Sequence, residues 1–285
     1  MKNFAVYFHP ALADKAGIFS LLRTLKREYD INFYGLPEQH DILPENFDCC
    51  ELVANRQSRI DCVLVFGGDG SILRAKKIAL RTGAPILGIN LGYLGFLSET
   101  TLKELKASIR DLLDQKYRLL SRMLINCQLR RKKQIIFKDL ALNDAVVYKA
   151  DTPRLIHVRI FNNGRFVFDT RCDGVIASTP TGSTAYSLSA GGPLLSPEMQ
   201  AMVLSPLNPH LLTIRPMVFP ASDRILMKVH GLEVPASLQI DGVNCSGIEE
   251  NDEVLVTASK QQVNFIKLSN RTFYQILRRK MNLGK

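Results

Sequence analysis

Residues 62–71 read Cys-Val-Leu-Val-Phe-Gly-Gly-Asp-Gly-Ser, and this stretch decides the fold class of the amino-terminal region. Its five apolar residues predict a buried strand, and the apolar spacing of 71–81 predicts a helix directly after the glycines. Strand-like runs at 4–8, 31–34 and 86–90 alternate with another helical pattern at 18–29. Such alternation predicts an α/β domain with a parallel sheet and right-handed crossovers.

The glycine turn itself, Gly67-Gly68-Asp69-Gly70, lies where open α/β sheets bind ligands. Glycines let the backbone approach a ligand closely, and a helix N-terminus attracts anions such as phosphate. The pattern is neither the Walker A sequence nor GxGxxG. An aspartate beside phosphates holds a cation or accepts a proton from an attacking hydroxyl. A plain turn in which Asp69 caps the helix explains the same residues, so both interpretations stand at this point.

The hydrophobic period changes after a helix predicted at 101–115, where Thr101 and Glu104 form a capping box. Short runs rich in Val, Ile, Phe and Tyr then predict strands at 122–129, 134–138, 141–149, 155–161, 165–170, 174–178, 211–219, 224–230, 236–240, 253–258 and 263–268. Asn162-Asn163-Gly164 predicts a hairpin turn. The final segment, 272–281, is helical in pattern, with Ser269 or Asn270 as N-cap.

These patterns predict two domains. An N-terminal Rossmann-like or flavodoxin-like α/β domain is expected over 1–100, joined by the final helix at 270–285. A largely antiparallel, β-sandwich-like domain is expected over 101–269.

Three further segments carry candidate binding residues. Residues 90–99 place two glycines and Phe96 after a strand, which fits either a loop with a core phenylalanine or a ring against a planar ligand. Asn143 and Asp144 interrupt an apolar strand, as a bulge or as ligand-binding groups. Residues 178–189 hold seven hydroxyl side chains within apolar strand material, which argues against a flexible linker. A serine nucleophile there is disfavoured because no GxSxG elbow occurs.

Composition and charge limit the classes of protein. The chain has 285 residues, 46% hydrophobic and 22% charged, with no apolar run long enough to span a membrane. The net charge is +10, and residues 101–140 hold 11 basic against 4 acidic side chains. Arg130-Arg131-Lys132-Lys133 is interpreted as a solvated hairpin tip, with binding of a polyanion as the alternative.

The six cysteines lack any CxxC spacing, and no HExxH occurs. Six free thiols in a reducing cytoplasm are therefore expected, without a secretory leader and without a protein-bound metal.

Taken together, the four motifs resemble those of the NAD kinase family, in the family's order and spacing across nearly the whole chain. The glycine turn alone is weak, because lipid kinases and relatives of phosphofructokinase share it. The segment 173–193 is specific for the family, and its sequence here is similar to the variant found in proteobacterial members. Ser71 and Asp144 stand where many members have Thr and Glu, and both keep the chemical group.

The resemblance implies phosphorylation of the adenosine-ribose 2′-hydroxyl of NAD by ATP, with Mg²⁺ carried on the ATP phosphates. It also implies a homo-oligomer, a dimer or a tetramer. Asp69 matches the catalytic aspartate, and Gly68 and Gly70 lie where the phosphates approach. Arg171 matches a position associated with preference for NAD over NADH.

The resemblance also implies roles for the remaining site residues, from their positions in the matching motifs. The residues implied to hold the adenine and its surroundings are Phe96, Asn143, Thr181, Thr184 and Tyr186. Asp144 and Asp241 are implied to bind hydroxyls or stand near the ribose. Asp173, Ala185 and Ser189 are implied to contact the nicotinamide half.

Two other functions are weighed against this one. A lipid or sugar kinase with the same turn should lack the segment 178–193 and respond to sphingoid bases or fructose phosphates rather than NAD. A nucleic-acid-binding protein would use the basic segment, but only Phe137 lies near it as an aromatic platform. No nucleic acid and no membrane are expected as partners.

Overall fold

The fold was determined as a computed structural model that describes residues 1–12, 15–39, 41–44, 47, 60–92, 95–150 and 152–282. The strands are β1 Asn3–Phe8, β2 Asn32–Tyr34, β3 Cys62–Phe66, β4 Ile86–Asn90, β5 Thr100–Thr101, β6 Arg118–Arg131, β7 Gln134–Ala141, β8 Asp144–Lys149, β9 Ile156–Asn162, β10 Arg165–Cys172, β11 Gly174–Ser178, β12 Ala201–Leu207, β13 Met217–Pro220, β14 Arg224–His230, β15 Ala236–Ile240, β16 Val243–Ile248 and β17 Glu253–Lys267. The helices are α1 Lys15–Tyr29, α2 Asp69–Thr82, α3 Leu105–Leu113, α4 Tyr186–Ser189 and α5 Phe273–Met281. No helix in these ranges is both long and apolar enough to cross a membrane.

The chain forms two compact units. Unit 1 comprises Met1–Ser121 and Val263–Lys285, and unit 2 comprises Arg122–Gln262. The division therefore lies at 121/122 rather than at the expected 100/101. The reason is that α3 buries Leu105, Ile109 and Leu112 in the core of unit 1, so its apolar stripe belongs there.

Unit 1 is built on a parallel sheet in the order β2-β1-β3-β4, as the alternating pattern predicted. The end of β17 runs parallel to β4 and extends this sheet. Helix α1 packs Ile18, Leu22 and Leu25 into the core, which matches the apolar spacing seen in the sequence.

Unit 2 consists of two antiparallel sheets, as expected for a β-sandwich. One has the order β10-β9-β14-β17, and the other β13-β12-β11-β8-β15-β16. Their inward side chains share one core, in which Val158 and Met227 of the first sheet join Val147 and Leu238 of the second. Asn163 and Gly164, with φ of 51° and 78°, form the predicted turn between β9 and β10.

Several predicted elements differ from the structure. Strands β12 and β16 were not predicted, because Pro206 lies within β12 and the polar residues Asn244 and Ser246 break the apolar pattern of β16. The runs at 253–258 and 263–268 are one strand whose polar middle is exposed. Of the run 211–219, only the end enters β13.

Helix boundaries also differ in detail. The N-cap of α5 is Thr272, not Ser269 or Asn270, and its side chain accepts a hydrogen bond from the Gln275 backbone N–H in a capping box. The predicted Thr101–Glu104 capping box is present, and it starts a short 3₁₀ turn that leads into α3.

Candidate active site

The strand order of unit 1 creates a crevice at one edge of the sheet. Chain connections diverge between the neighbouring strands β1 and β3, and ligands bind outside the carboxyl ends of strands at such a point. His9 follows β1 and Gly67 follows β3, and the His9 backbone N–H donates to the Phe66 carbonyl at 2.9 Å. A cavity of about 400 Å³ opens here, lined by His9, Ala11, Leu12, Ile18, Gly67, Gly68, Leu91 and Leu102.

Asp69 is the first residue of α2, and Gly68 is the N-cap. The Asp69 carboxylate does not cap its own helix. Instead its Oδ2 accepts the Phe96 backbone N–H at 2.8 Å and its Oδ1 accepts the Leu97 N–H at 3.1 Å. The interpretation of Asp69 as a simple helix cap is therefore wrong, and the loop after β4 fixes the carboxylate at the glycine turn.

The glycines around Asp69 differ in what they accommodate. A Cβ at Gly95 would overlap Asp69 Oδ1, so only glycine lets the loop approach the carboxylate this closely. At Gly68 and Gly70 a Cβ would meet open space. The protein itself therefore leaves room beside Gly68 and Gly70, on the side where a ligand would approach the helix N-terminus.

Helix α5 brings a positive charge to Asp69. Lys280 Nζ lies 4.0 Å from Asp69 Oδ2 and 4.3 Å from the centroid of the Phe96 ring, within cation–π distance. The Phe273 ring lies 6.4 Å from the Phe96 ring. Phe96 is thus neither a simple core residue nor a free platform, because α5 contacts it.

Glu99 anchors the chain that leads into α5. Its Oε1 accepts the backbone N–H groups of Leu268 and Ser269 at 3.1 and 2.6 Å, and its Oε2 pairs with Lys267 Nζ at 2.6 Å. Both charged side chains are about nine-tenths buried. The pair fixes the start of the α5 segment against the loop that holds Asp69.

In unit 2, Asp241 organises the turn before β8. Its Oδ1 accepts the N–H groups of Asn143 and Asp144 at 2.7 and 3.2 Å, and its Oδ2 accepts that of Leu142 at 3.0 Å. These three contacts of Asp241 are to backbone, and they orient Asn143 and Asp144. Gly182 packs so closely on the Asn143 carbonyl that a Cβ there would overlap it.

The seven hydroxyl side chains of 178–189 fall into two groups. Four are buried and hydrogen-bonded within the protein, namely Ser178, Thr179, Ser183 and Ser187. Thr181 is also buried, but its Oγ1 has no hydrogen-bond partner among the described residues. Thr184 is half-buried and Ser189 is exposed. The first group builds the loop, and the Thr184 hydroxyl also bonds within it by donating to the Thr181 carbonyl at 3.1 Å. The hydroxyls of Thr181 and Ser189 are available to a ligand.

Tyr186 and Ala185 lie at the outer surface of the same loop. Tyr186 is 40% exposed at the first turn of α4, and Ala185 is half-buried. Burial raises the pKa of the Tyr186 phenol, and the negative charges of Asp173 and Asp144 add to the effect. The phenol is therefore un-ionised at neutral pH and can donate a hydrogen bond.

Asp173 lies between β10 and β11 and is held on both oxygens. Lys149 Nζ is 2.8 Å from Oδ1, and Asn208 Nδ2 donates to Oδ2 at 2.7 Å. Burial alone would raise the pKa of Asp173, but these hydrogen bonds and the Lys149 charge together lower it below its ordinary value. Arg171, two residues earlier on β10, is exposed.

This depressed pKa predicts a pH-dependent contribution to stability. Because the folded chain holds the Asp173 proton less tightly than the unfolded chain, the contribution is complete well above pH 4 and is lost as pH falls through the folded pKa. Asp173→Asn should lower the free energy of unfolding by about 1–3 kcal/mol at pH 7. In urea titrations at pH 7, 5, 4 and 3.5, the difference between parent and variant should shrink below pH 4. A constant difference over this range would contradict the prediction.

Comparison with known proteins decides the family. The model of the ATP-NAD kinase N-terminal domain matches residues 29–117, and that of the C-terminal domain matches 142–268. NAD kinase from Desulforamulus reducens is 37% identical over 260 residues, which cover 91% of this chain and 87% of that protein. NAD kinase from Heliobacterium modesticaldum is 39% identical over 231 residues, which cover 81% of this chain and 82% of that protein.

The chain belongs to the NAD kinase family.

Solved structures agree with this family in fold. Yeast NADH kinase complexed with NADH superposes with a TM-score of 0.89 at 25% identity, covering all of this chain and 88% of the yeast chain. An NAD kinase from Archaeoglobus fulgidus in complex with ATP superposes with a TM-score of 0.74 at 22% identity, covering 98% of each chain. The resemblance inferred from the four motifs is confirmed, and with it the expectation of an NAD kinase enzyme.

The structure collects the expected site residues of the NAD kinase in each unit separately. Unit 1 brings Asp69, Gly68, Gly70 and Phe96 together at the glycine turn. In unit 2, Asp241 ties Asn143 and Asp144 together, and the loop 181–189 is bonded to the same turn through Thr179 and Leu142. Arg171 lies near the end of β10, and Asp173 directly follows that strand.

Sequence reasoning missed the residues that hold these groups in place, namely Gly95, Glu99, Lys280, Lys149 and Asn208. All of them act on partners that are distant in sequence, so local spacing carried no signal for them. Only the expectation that the final helix returns to the first domain pointed towards Lys280.

The basic segment at 130–133 forms the tip of the β6–β7 hairpin. Arg131 forms an ion pair there, with Nη2 2.8 Å from Oδ2 of the buried Asp252 and Nη1 2.7 Å from Oε1 of Glu249. Arg131 therefore stabilises unit 2, which favours the interpretation of the segment as a hairpin tip.

The cysteines of the described residues are free thiols. Cys62, Cys127 and Cys172 are buried, and burial raises the pKa of Cys127 and of Cys172 to about 12. These thiols are un-ionised at neutral pH and serve as packing residues. The expectations for Cys49 and Cys50 lie outside the described residues.

Proposed function

We propose that this NAD kinase transfers the γ-phosphoryl group of ATP to the 2′-hydroxyl of the adenosine ribose of NAD, with Asp69 as general base. Family membership supports the reaction. The observation that carries the role of Asp69 is its position: two backbone N–H groups hold the carboxylate at a helix N-terminus, beside glycines that leave open space.

The proposed step is a direct displacement. The ribose 2′-hydroxyl donates its proton to Asp69 while its oxygen forms a bond to the γ-phosphorus. The bond between that phosphorus and the bridging oxygen breaks, and ADP leaves. Each Asp69 oxygen has lone pairs beyond the one used by the loop, so the carboxylate can accept the proton without losing its position. A positioned base contributes about 10²–10⁴ to the rate.

We assign the donor phosphates to the cavity beside Gly67 and Gly68, where the N-terminus of α2 favours negative charge. The resemblance implies Mg²⁺. That ion is usually held by one or two carboxylates together with substrate phosphates. Asp69, a hard oxygen ligand at the glycine turn, fits such a set, and the ion when bound would neutralise charge on the phosphates.

Lys280 is proposed to neutralise Asp69 before the substrates bind. Its ammonium group contacts both the carboxylate and the Phe96 ring. A lysine side chain is long and flexible, so Lys280 can exchange its contact with Asp69 for one with a donor phosphate. This exchange would leave the carboxylate available to the 2′-hydroxyl.

The dinucleotide is proposed to contact residues of unit 2. Thr181, Thr184, Tyr186 and Asn143 would surround the adenine, and Asp144 would bind hydroxyls, with Asp241 orienting the turn. Asp173, Ala185 and Ser189 would contact the nicotinamide half, near Arg171. The buried Thr181 Oγ1 supports this assignment most directly, because a buried hydroxyl without a partner is stabilised by a ligand hydrogen bond.

A coupled assay tests the activity. Purified protein with ATP, Mg²⁺ and NAD should form NADP, which glucose-6-phosphate dehydrogenase specific for NADP then reduces with a rise in absorbance. Omission of ATP should abolish the signal. Absence of NADP with well-folded protein, together with turnover of a sphingoid base or a fructose phosphate, would favour the alternative kinase class instead.

Thr181→Val tests the acceptor site separately. Loss of one hydrogen bond of about 0.5–1.5 kcal/mol should raise the KM for NAD about 2–10-fold. The free energy of unfolding without ligand should stay equal or rise, because the variant removes an unpartnered buried hydroxyl. Thr24→Val, at an exposed threonine of α1, is the matched control. An unchanged KM for NAD would remove Thr181 from the binding site.

Two further expectations remain proposals. Free buried thiols in the described residues support residence in a reducing cytoplasm. A homo-oligomer is proposed from the resemblance, and multi-angle light scattering of the purified protein measures its size.

A further inference from the structure

Three side chains that are scattered in sequence meet on the outer face of a sheet in unit 2. His157 on β9, Asp169 on β10 and His230 on β14 lie on neighbouring strands, with His157 directly paired to His230. The intervening residues, such as Val158 and Val229, point into the core, so the three side chains share the opposite face. One ligand atom from each lies within 4.8 Å of the other two.

The two oxygens of the Asp169 carboxylate have different sets of contacts. Asp169 Oδ1 faces both histidines, at 3.0 Å from His157 Nε2 and 3.1 Å from His230 Nε2. Oδ2 is held by Arg159, at 2.7 Å from Nη2 and 2.8 Å from Nε, and it also lies 3.2 Å from His230 Nε2. Arg159 thus orients the carboxylate through Oδ2, as outer groups do for metal-ligating carboxylates, and Oδ1 faces both histidines.

We propose that His157, Asp169 and His230 bind a divalent transition-metal ion such as Zn²⁺. The ligand atoms would be Nε2, Oδ1 and Nε2, with solvent at the fourth position. Bonds of about 2.0–2.1 Å in a tetrahedral site place ligand atoms about 3.3 Å apart, close to the two nitrogen–oxygen distances present. The three side chains are one-fifth to one-third exposed, so an ion and a water molecule can reach them.

The surroundings select the type of ion. Arg159, Arg171 and Lys228 lie on the same face, so Asp169 is its one acidic group among the described residues of these three strands. Mg²⁺ and Ca²⁺ need several oxygen ligands, whereas Zn²⁺, Co²⁺ and Ni²⁺ bind imidazole well.

The ion would tie together three neighbouring strands of unit 2. The sequence expectation of no protein-bound metal rested on the absence of a spacing motif. Positions 157, 169 and 230 form no such motif, because strand pairing rather than local spacing brings them together. This site involves none of the residues proposed for phosphoryl transfer, so its test is independent of that proposal.

Titration of the full-length, chelator-treated enzyme with Co²⁺ tests the site. The enzyme should bind one Co²⁺ per chain with the intense visible absorption of a four-coordinate ion, and Zn²⁺ should displace it. His157→Gln and His230→Gln should each weaken binding at least about tenfold and abolish this spectrum. His210→Gln, at an exposed histidine outside the cluster, should leave both unchanged.

A thermal measurement separates binding from folding. Zn²⁺ should raise the Tm of the parent and of His210→Gln but not that of His157→Gln or His230→Gln, while all four proteins unfold cooperatively without metal. A parent enzyme without the four-coordinate spectrum, or cluster variants that bind Co²⁺ as tightly as the parent, would overturn the proposal. The cluster would then be a hydrogen-bonded His–Asp–His group only.

Discussion

Asp69→Asn should lower kcat for NADP formation about 10²–10⁴-fold while the protein stays folded and still binds NAD. The amide oxygen of asparagine can accept one of the two loop N–H groups, so the geometry at Phe96 and Leu97 is largely kept. The amide cannot take a proton from the 2′-hydroxyl. The KM for NAD should change little, because Asp69 acts in the transition state rather than in ground-state binding. Steady-state kinetics with the coupled assay measure both quantities.

The matched control is Asp30→Asn, which removes an exposed carboxylate paired with Lys2. It should keep full activity, since surface ion pairs contribute little. Circular dichroism and thermal shift with NAD verify that Asp69→Asn is folded and binds its acceptor. If Asp69→Asn then turns over at a rate similar to the parent, the proton must leave by another route, and Asp69 is not the base.

Glu99→Ala should destabilise the protein by about 3–5 kcal/mol, because it breaks a buried ion pair by removing one partner. The substitution leaves Lys267 buried without its carboxylate and leaves the Leu268 and Ser269 N–H groups without their acceptor. Urea unfolding followed by circular dichroism gives the difference in free energy. Glu99→Gln should cost less, because its amide oxygen can still accept one backbone N–H.

An exposed ion pair of the same unit supplies the comparison. Glu28→Ala breaks the contact with Lys106 on the surface and should change the free energy of unfolding far less than Glu99→Ala does. Equal effects of Glu28→Ala and Glu99→Ala would show that burial of the Glu99–Lys267 pair does not matter, contrary to the contacts described.

Much of the fold was predictable because the spacing of hydrophobic residues along the sequence shows which side of a strand or helix is buried. The apolar run 62–66 and the spacing at 18–29 gave the strand and the helix that the structure contains. Strand β12 was not predicted because it contains Pro206, and proline is uncommon in a strand that is paired on both sides. The runs on either side of 259–262 were not predicted to form one strand, because these residues are polar and lack the apolar pattern of a buried strand.

The candidate site was predictable to the extent that its residues are local. The glycine turn and the hydroxyl-rich segment are contiguous, so their residues could be named from the sequence. Asp241 differs: its carboxylate orients the 142–144 turn across about a hundred residues of sequence, which no spacing rule reveals. The same holds for Lys280, whose contact with Asp69 depends on where α5 packs.

In the sequence, unit 2 is inserted between the two parts of unit 1. Ser121 and Val263 flank the interruption, and the Ser121 hydroxyl lies 2.6 Å from the side-chain oxygen of Asn264, the residue after Val263. The two chain ends of unit 1 at residues 121 and 263 are therefore side by side. A tight turn of a few residues would join them without distorting the sheet. Insertion of one domain into another is tolerated where the two ends of the host lie this close, so the ends of unit 1 can stay together while the 122–262 segment forms a unit with its own core.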